Sequence, residues 1–321
     1  MVRRRDFLLG VIAVGTMARQ RPGFGDAPQP ETPVNFDVPA NACDCHTHIF
    51  GDPAEFPLAP ARTYTPEPAL PGDMAAFHKK LSIRRVVIVT PSIYGTDNAT
   101  TLFGVKARGA DARGIAVIDD KTPDSELNTM GRAGVCGIRL NLATAGVNDP
   151  AVAHQKLTAA ADRVQSRKWH VQIYINTPLI AHLTDVVANL SVPVVFDHFG
   201  GAQAAEGLQQ PGFAELLELV RSGKAYVKIS GAYRASQLAP DYANVAPLAK
   251  ALIAANSDRI VWGTDWPHPN SVTPPGKKPT DVTPPLRVDD GRLLNQLAVW
   301  APDQSIRRKI LVDNPARLYA F

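Results

Sequence analysis

Ala42-Cys43-Asp44-Cys45-His46-Thr47-His48-Ile49-Phe50 is an apolar stretch that ends in two histidines spaced two apart. Residues two apart on a strand point the same way, so His46 and His48 present both imidazoles to one pocket, with Asp44 on the same face. Cys43 and Cys45 then face the other way as small apolar fillers. A Cys/His metal cluster would require side chains from opposite strand faces to converge. Paired imidazoles can bind a metal, polarise a carbonyl or carry protons.

Working outward, the stretch is the first of a series of short β-branched runs. They are Ala42–Phe50, Val86–Ser92, Gly114–Ile118, Gly137–Leu142, His170–Asn176, Val192–His198, Tyr226–Ser230 and Ile260–Asp265. Between them lie segments of helical period, such as Asp149–Lys168, where Val152, Leu157, Ala160 and Val164 share a face, and Thr177–Leu190. The runs are nearly continuous in apolar character, as parallel strands covered on both sides should be. Strand and helix alternating eight times predict an α/β protein, a single-domain (β/α)8 TIM barrel over residues 42–321. A doubly wound open sheet competes, but no glycine-rich phosphate turn follows the first strand.

The N-terminus reads differently. Arg3-Arg4-Arg5-Asp6-Phe7-Leu8 precedes an apolar run from Leu9 to Ala18 that is too short to span a bilayer easily. This predicts a cleavable twin-arginine signal within residues 1–27, recognised by the twin-arginine export machinery, and a periplasmic or exported protein. Residues 28–41, rich in Pro and without apolar period, read as a linker. The net charge of +4 includes Arg3, Arg4, Arg5 and Asp6, so loss of residues 1–18 would leave about +2. That charge gives no case for a nucleic-acid partner, and the 45% hydrophobic and 20% charged composition is that of an ordinary globular protein, with no membrane partner indicated. Three cysteines are too few and too oddly placed for a disulfide framework.

Barrel chemistry collects at the carboxyl ends of the strands, so polar residues there are the candidates. They include His46 and His48, then Ser92 and Thr96, Arg139, Tyr174, His198, Arg234, Asp265 and His268. Asp197 and His198 alternate, which favours His198 for the pocket. Arg139 lies inside an apolar run and must meet an anion, from the protein or from a ligand. The proline-rich segment Pro267–Arg292 follows the eighth run and reads as a loop shaping the pocket.

These motifs resemble the amidohydrolase superfamily, and within it the 2-pyrone-4,6-dicarboxylate lactonases and related lactone hydrolases. The pieces are Asp44-Cys45-His46-Thr47-His48-Ile49-Phe50-Gly51, Gly95-Thr96-Asp97-Asn98, Gly137-Ile138-Arg139, Asp197-His198-Phe199-Gly200, Trp262-Gly263-Thr264-Asp265-Trp266-Pro267-His268-Pro269 and Asn314-Pro315-Ala316-Arg317-Leu318-Tyr319. The resemblance implies a hydrolase that opens a small, carboxylated lactone. Asp265 would be the general base, and His46, His48 and His198 would stabilise the oxyanion. Arg139 and Arg234 would hold substrate carboxylate, with Ser92, Thr96, Tyr174 and His268 adding contacts. The superfamily usually binds divalent metal, but Arg139 and Tyr174 stand where metal-site residues are usual. A metal-free site is therefore expected, with His46, His48, His198 and Asp265 as the ligands of a single zinc should one bind. Two competing functions are a metal-dependent amidohydrolase or decarboxylase of the same fold, and an exported small-anion binding protein. Binding proteins of that kind are usually two-lobed, against the unbroken barrel pattern.

Overall fold

The structure is a computed structural model that describes residues 27–321. The predicted signal falls on residues outside that range, apart from Ala27. Eight strands form one parallel sheet in sequence order. They are β1 (Cys43–Thr47), β2 (Arg85–Val89), β3 (Ala112–Ala116), β4 (Val135–Asn141), β5 (His170–Tyr174), β6 (Val194–Phe196), β7 (Ala225–Ser230) and β8 (Ile260–Gly263). Each overlaps one of the eight apolar runs. Helices return the chain between strands, α1 (Pro71–Lys80), α2 (Ala99–Arg108), α3 (Asp124–Arg132) and α4 (Pro150–Val164) among them. The run Thr177–Leu190 is not one helix: a 3₁₀ turn, Thr177–His182, precedes a short α-helix, Thr184–Asn189.

β1 and β8 meet at a seam, and the residues of the seam close the barrel. The Asp265 amide donates to the His46 carbonyl and the His48 amide to the Trp266 carbonyl, both at 2.8 Å. Asp44 spans the same seam, accepting from the amides of His46 (3.2 Å) and Thr264 (3.0 Å) and from the Thr264 hydroxyl (2.5 Å). A Cβ on Gly263 would sit 2.7 Å from the His46 nitrogen, so only glycine lets the two strands approach so closely.

The expectation that Asp44 shares the face of the two histidines is corrected here. The register of β1 against β2 slips by one residue between Asp44 and Thr47, the signature of a bulge, which breaks strict alternation. Asp44 accordingly pairs with His78 of α1, 3.2 Å away. Cys43 and Cys45 are free and buried among Val87, Val89, Ile115, Val195 and Val261.

The segment expected to be a linker is instead a fixed strap. The Thr32 amide and hydroxyl and the Glu31 amide donate to the Asp289 carboxylate, and the Asn35 amide to the Asn295 side chain. The Trp266 indole donates to the Pro28 carbonyl at 2.9 Å. Its irregular backbone is satisfied by these side chains rather than by secondary structure.

Candidate active site

His46, at the end of β1, is fully buried with both ring nitrogens facing carboxylates. Nδ1 lies 3.2 Å from Asp197 Oδ1, and Nε2 lies 3.7 Å from Asp265 Oδ1. His48 Nε2 is 3.2 Å from the same Asp265 oxygen. His198, just past β6, brings its Nε2 to 3.9 Å from Asp265 Oδ2. Residues from both ends of the chain thus gather round one carboxylate.

The two oxygens of Asp265 differ. Oδ2 accepts from the Tyr233 hydroxyl at 2.7 Å and from Arg234 Nε. Oδ1 is buried and faces only imidazole nitrogens, His48 Nε2 at 3.2 Å and His46 Nε2 at 3.7 Å. Burial alone would raise this carboxyl, but the Arg234 guanidinium beside it outweighs burial and holds it well below the usual carboxylate range. Asp265 is therefore ionised at neutral pH, with Oδ1 turned toward the imidazoles. Its backbone has φ +65°, a conformation costly for a residue with a side chain.

The three imidazoles are not equivalent. His48 Nδ1 is 2.8 Å from the Val89 carbonyl, which can only accept, so Nδ1 carries a proton and a neutral ring offers a lone pair at Nε2. His198 Nδ1 faces the Ser230 hydroxyl at 3.0 Å and the Ser230 carbonyl at 3.3 Å, which allow either tautomer. Burial pushes His198 down to about 4 and His46 well below its usual value, so both are neutral at pH 7.

Arg139, on β4, meets the protein anion that its apolar surroundings demand: its Nε donates to Asp197 Oδ2 at 2.9 Å. Asp197 is not turned away from the site as strand alternation suggested. β6 ends at Phe196, and His198 has φ +47°, so the chain turns there and both side chains face inward. Burial would raise the Asp197 carboxyl, but the cations Arg139 and Lys228 beside it hold it well below the usual range. Gln172 donates to Asp197 Oδ2 at 3.0 Å and accepts from Lys228 at 2.6 Å.

A small cavity of about 30 Å³ opens above this cluster. Of the predicted residues, His48, Ser92, Arg139, Tyr174, His198 and Arg234 line it, joined by Tyr64 and Ser271. Four predicted contributors are absent from the lining: His46 and Asp265, fully buried beside His48, and Thr96 and His268, which lie elsewhere. Thr96 is exposed on the loop after Ser92. His268, at φ +59°, turns toward the helix Asp290–Trp300 and pairs with Asp290 at 3.0 Å. Tyr64 sits on an irregular loop and carries no periodic signal, and burial raises its hydroxyl to about 12. Lys228 is visible in the sequence as a charge inside an apolar run, as Arg139 is.

Ligand atoms of His46, His48 and Asp265 lie within 4.8 Å of one another, as do those of His46, Asp197 and His198. Either trio is compact enough to hold a metal ion.

The amidohydrolase family profile matches residues 43–321. A 4-sulfomuconolactone hydrolase of Hydrogenophaga intermedia is 34% identical over 291 residues, 89% of this chain and 91% of that protein. A 2-pyrone-4,6-dicarboxylate hydrolase of Comamonas testosteroni is 34% identical over 307 residues, 93% of this chain and 96% of that protein. An apo crystal structure from Agrobacterium tumefaciens superposes with a TM-score of 0.74 at 28% identity, covering 90% of this chain and 98% of that one.

Proposed function

The chain belongs to the amidohydrolase family, and on that premise we propose that it is a hydrolase that opens a small carboxylated lactone by water attack. One observation carries the reading: Asp265 is ionised and buried, its Oδ2 held by Tyr233 and Arg234 and its Oδ1 turned toward the imidazoles of His48 and His46 alone. Such an oxygen is placed to act as general base, and its low basicity means that the proton moves only as the water–carbon bond forms. In this reading Oδ1 takes a proton from water as the water oxygen bonds to the lactone carbonyl carbon. His46 and His198 donate N–H to the oxyanion, and the ring oxygen leaves and is protonated, giving hydroxyl and acid. His48, with its Nε2 beside Oδ1, shares the abstracted proton rather than serving as a neutral donor.

Charge supports an anionic substrate. Arg139, Lys228 and Arg234 set three positive charges against the two negative charges of Asp197 and Asp265, a surplus of one. Arg139 and Arg234 each commit Nε to the protein, leaving terminal N–H groups for a carboxylate. A divalent cation would raise the surplus to three, whereas a carboxylate cancels it. The donor trios are close enough for an ion, but the charge around them opposes one, and the reading is metal-free.

The convergence of His46, His48 and Asp265 favours one second reading, a mononuclear metal hydrolase. Purified protein would be incubated with a panel of carboxylated lactones, with and without chelator, alongside metal analysis. Ring-opened acid at a rate that chelator leaves unchanged is expected. Stoichiometric zinc whose removal abolishes turnover would defeat the metal-free reading, and inertness toward every lactone would defeat the lactonase.

A further inference from the structure

Lys228 is completely buried in the middle of β7, does not line the cavity, and enters the chemistry above only as a charge. A buried ammonium is costly unless its protons are taken. Its Nζ donates to Gln172 Oε1 at 2.6 Å, lies 3.6 Å from Asp197 Oδ1 and is 3.5 Å from Nδ1 of His46. Two buried groups therefore compete for one imidazole nitrogen. If Asp197 wins, Nδ1 carries the proton, and Nε2 turns a lone pair toward the reacting centre. If Lys228 wins, Nδ1 accepts, and Nε2 carries the N–H.

The geometry favours the amine. Asp197 Oδ1 is nearer, at 3.2 Å, but a ring N–H does not reach it in good hydrogen-bond geometry, whereas the Lys228 contact, at 3.5 Å, is aligned for one. Asp197 is also supplied from elsewhere, by Arg139 and Gln172 on Oδ2. Gln172 donates to Asp197 and accepts from Lys228, and so holds the amine in place. On the far side of the ring, Nε2 of His46 has no partner. We propose that Lys228 is a positioning residue that donates to Nδ1 of His46 and thereby keeps Nε2 protonated as a hydrogen-bond donor to the reacting oxygen. This rests on the reading of His46 as an oxyanion donor, but its structural half is independent of any substrate.

The test is nitrogen NMR of the ¹⁵N-histidine-labelled protein without substrate, with the His46 signals assigned by their loss in His46→Gln. Wild type is expected to show His46 Nε2 protonated and Nδ1 bare. A protonated Nδ1 would overturn the proposal without any variant being made. In Lys228→Met the two signals are expected to exchange, and kcat to fall about 100-fold with KM little changed, the scale of one lost oxyanion donor. Lys228→Arg, which keeps an N–H donor, is expected to restore the wild-type tautomer and much of kcat. A folded Lys228→Met with unchanged tautomer and kcat would also overturn the proposal. If wild type turns over no lactone, the functional reading fails while the tautomer result still decides the role of Lys228.

Discussion

Asp265 holds its two oxygens in different states, and the division can be tested at one atom. Asp265→Asn keeps the shape and the neighbours but removes the basic oxygen. We expect kcat to fall by about 10²–10⁴, the usual worth of general-base catalysis, with KM changed little. Steady-state assays of the opened acid check this, and full activity would remove Asp265 from the mechanism. Arg139 differs because it serves two partners. Arg139→Ala should raise KM by removing a carboxylate ligand, and should also strip Asp197 of its closest guanidinium. Breaking a buried pair by deleting one partner costs about 3–5 kcal/mol, so a lowered thermal midpoint is expected alongside the raised KM. A raised KM at unchanged stability would mean that Asp197 is neutralised by Lys228 alone.

Among the elements, the strands were legible and their endings were not. Eight β-branched runs marked the strands because parallel strands are buried on both faces and show it in composition. Alternation then assigned faces, and it failed where the backbone leaves the β region. The bulge in β1 sent Asp44 to α1, the turn at His198 brought Asp197 inward, and positive φ at Asp265 and His268 aimed one side chain into the site and the other away. His46, His48, His198, Arg139 and Asp265 were readable as polar residues at strand ends. The roles of Gln172 and Lys228 were hidden because both lie within strands, and what brings them together is barrel closure rather than local sequence. The strap was misread because proline-rich composition resembles a linker, while its anchor, Asp289, lies far along the chain. Its hold depends on one close approach: a Cβ on Gly291 would fall 1.8 Å from the Thr32 carbonyl oxygen. Gly291→Ala should therefore detach the strap, and limited proteolysis should find new cuts within residues 28–41. Unchanged protease resistance would show that the contact is dispensable.

Across the whole molecule, buried imidazoles set the response to acid. Burial lowers His198 to about 4 and His170 to about 3, whereas an unfolded histidine titrates near about 6.5. Between those limits the unfolded chain binds more protons than the folded one, so stability falls as the pH drops from about 6.5 toward 4. His198 alone would contribute on the order of 3 kcal/mol to that loss. Asp197 and Asp265, held below their usual range, add a further loss at lower pH. Thermal midpoints measured from pH 7 to pH 4 should decline steadily, and a flat profile would mean that these imidazoles are not buried as neutral groups. The single surplus positive charge of the site also bears on how turnover ends. On the proposed reaction a monocarboxylate lactone enters and neutralises the enclosure. Its opened form sheds a proton and becomes a dianion, with the new charge beside Asp265. The chamber then holds one negative charge too many, so the product is pushed outward by the chemistry that made it, and re-entry for ring closure is electrostatically discouraged.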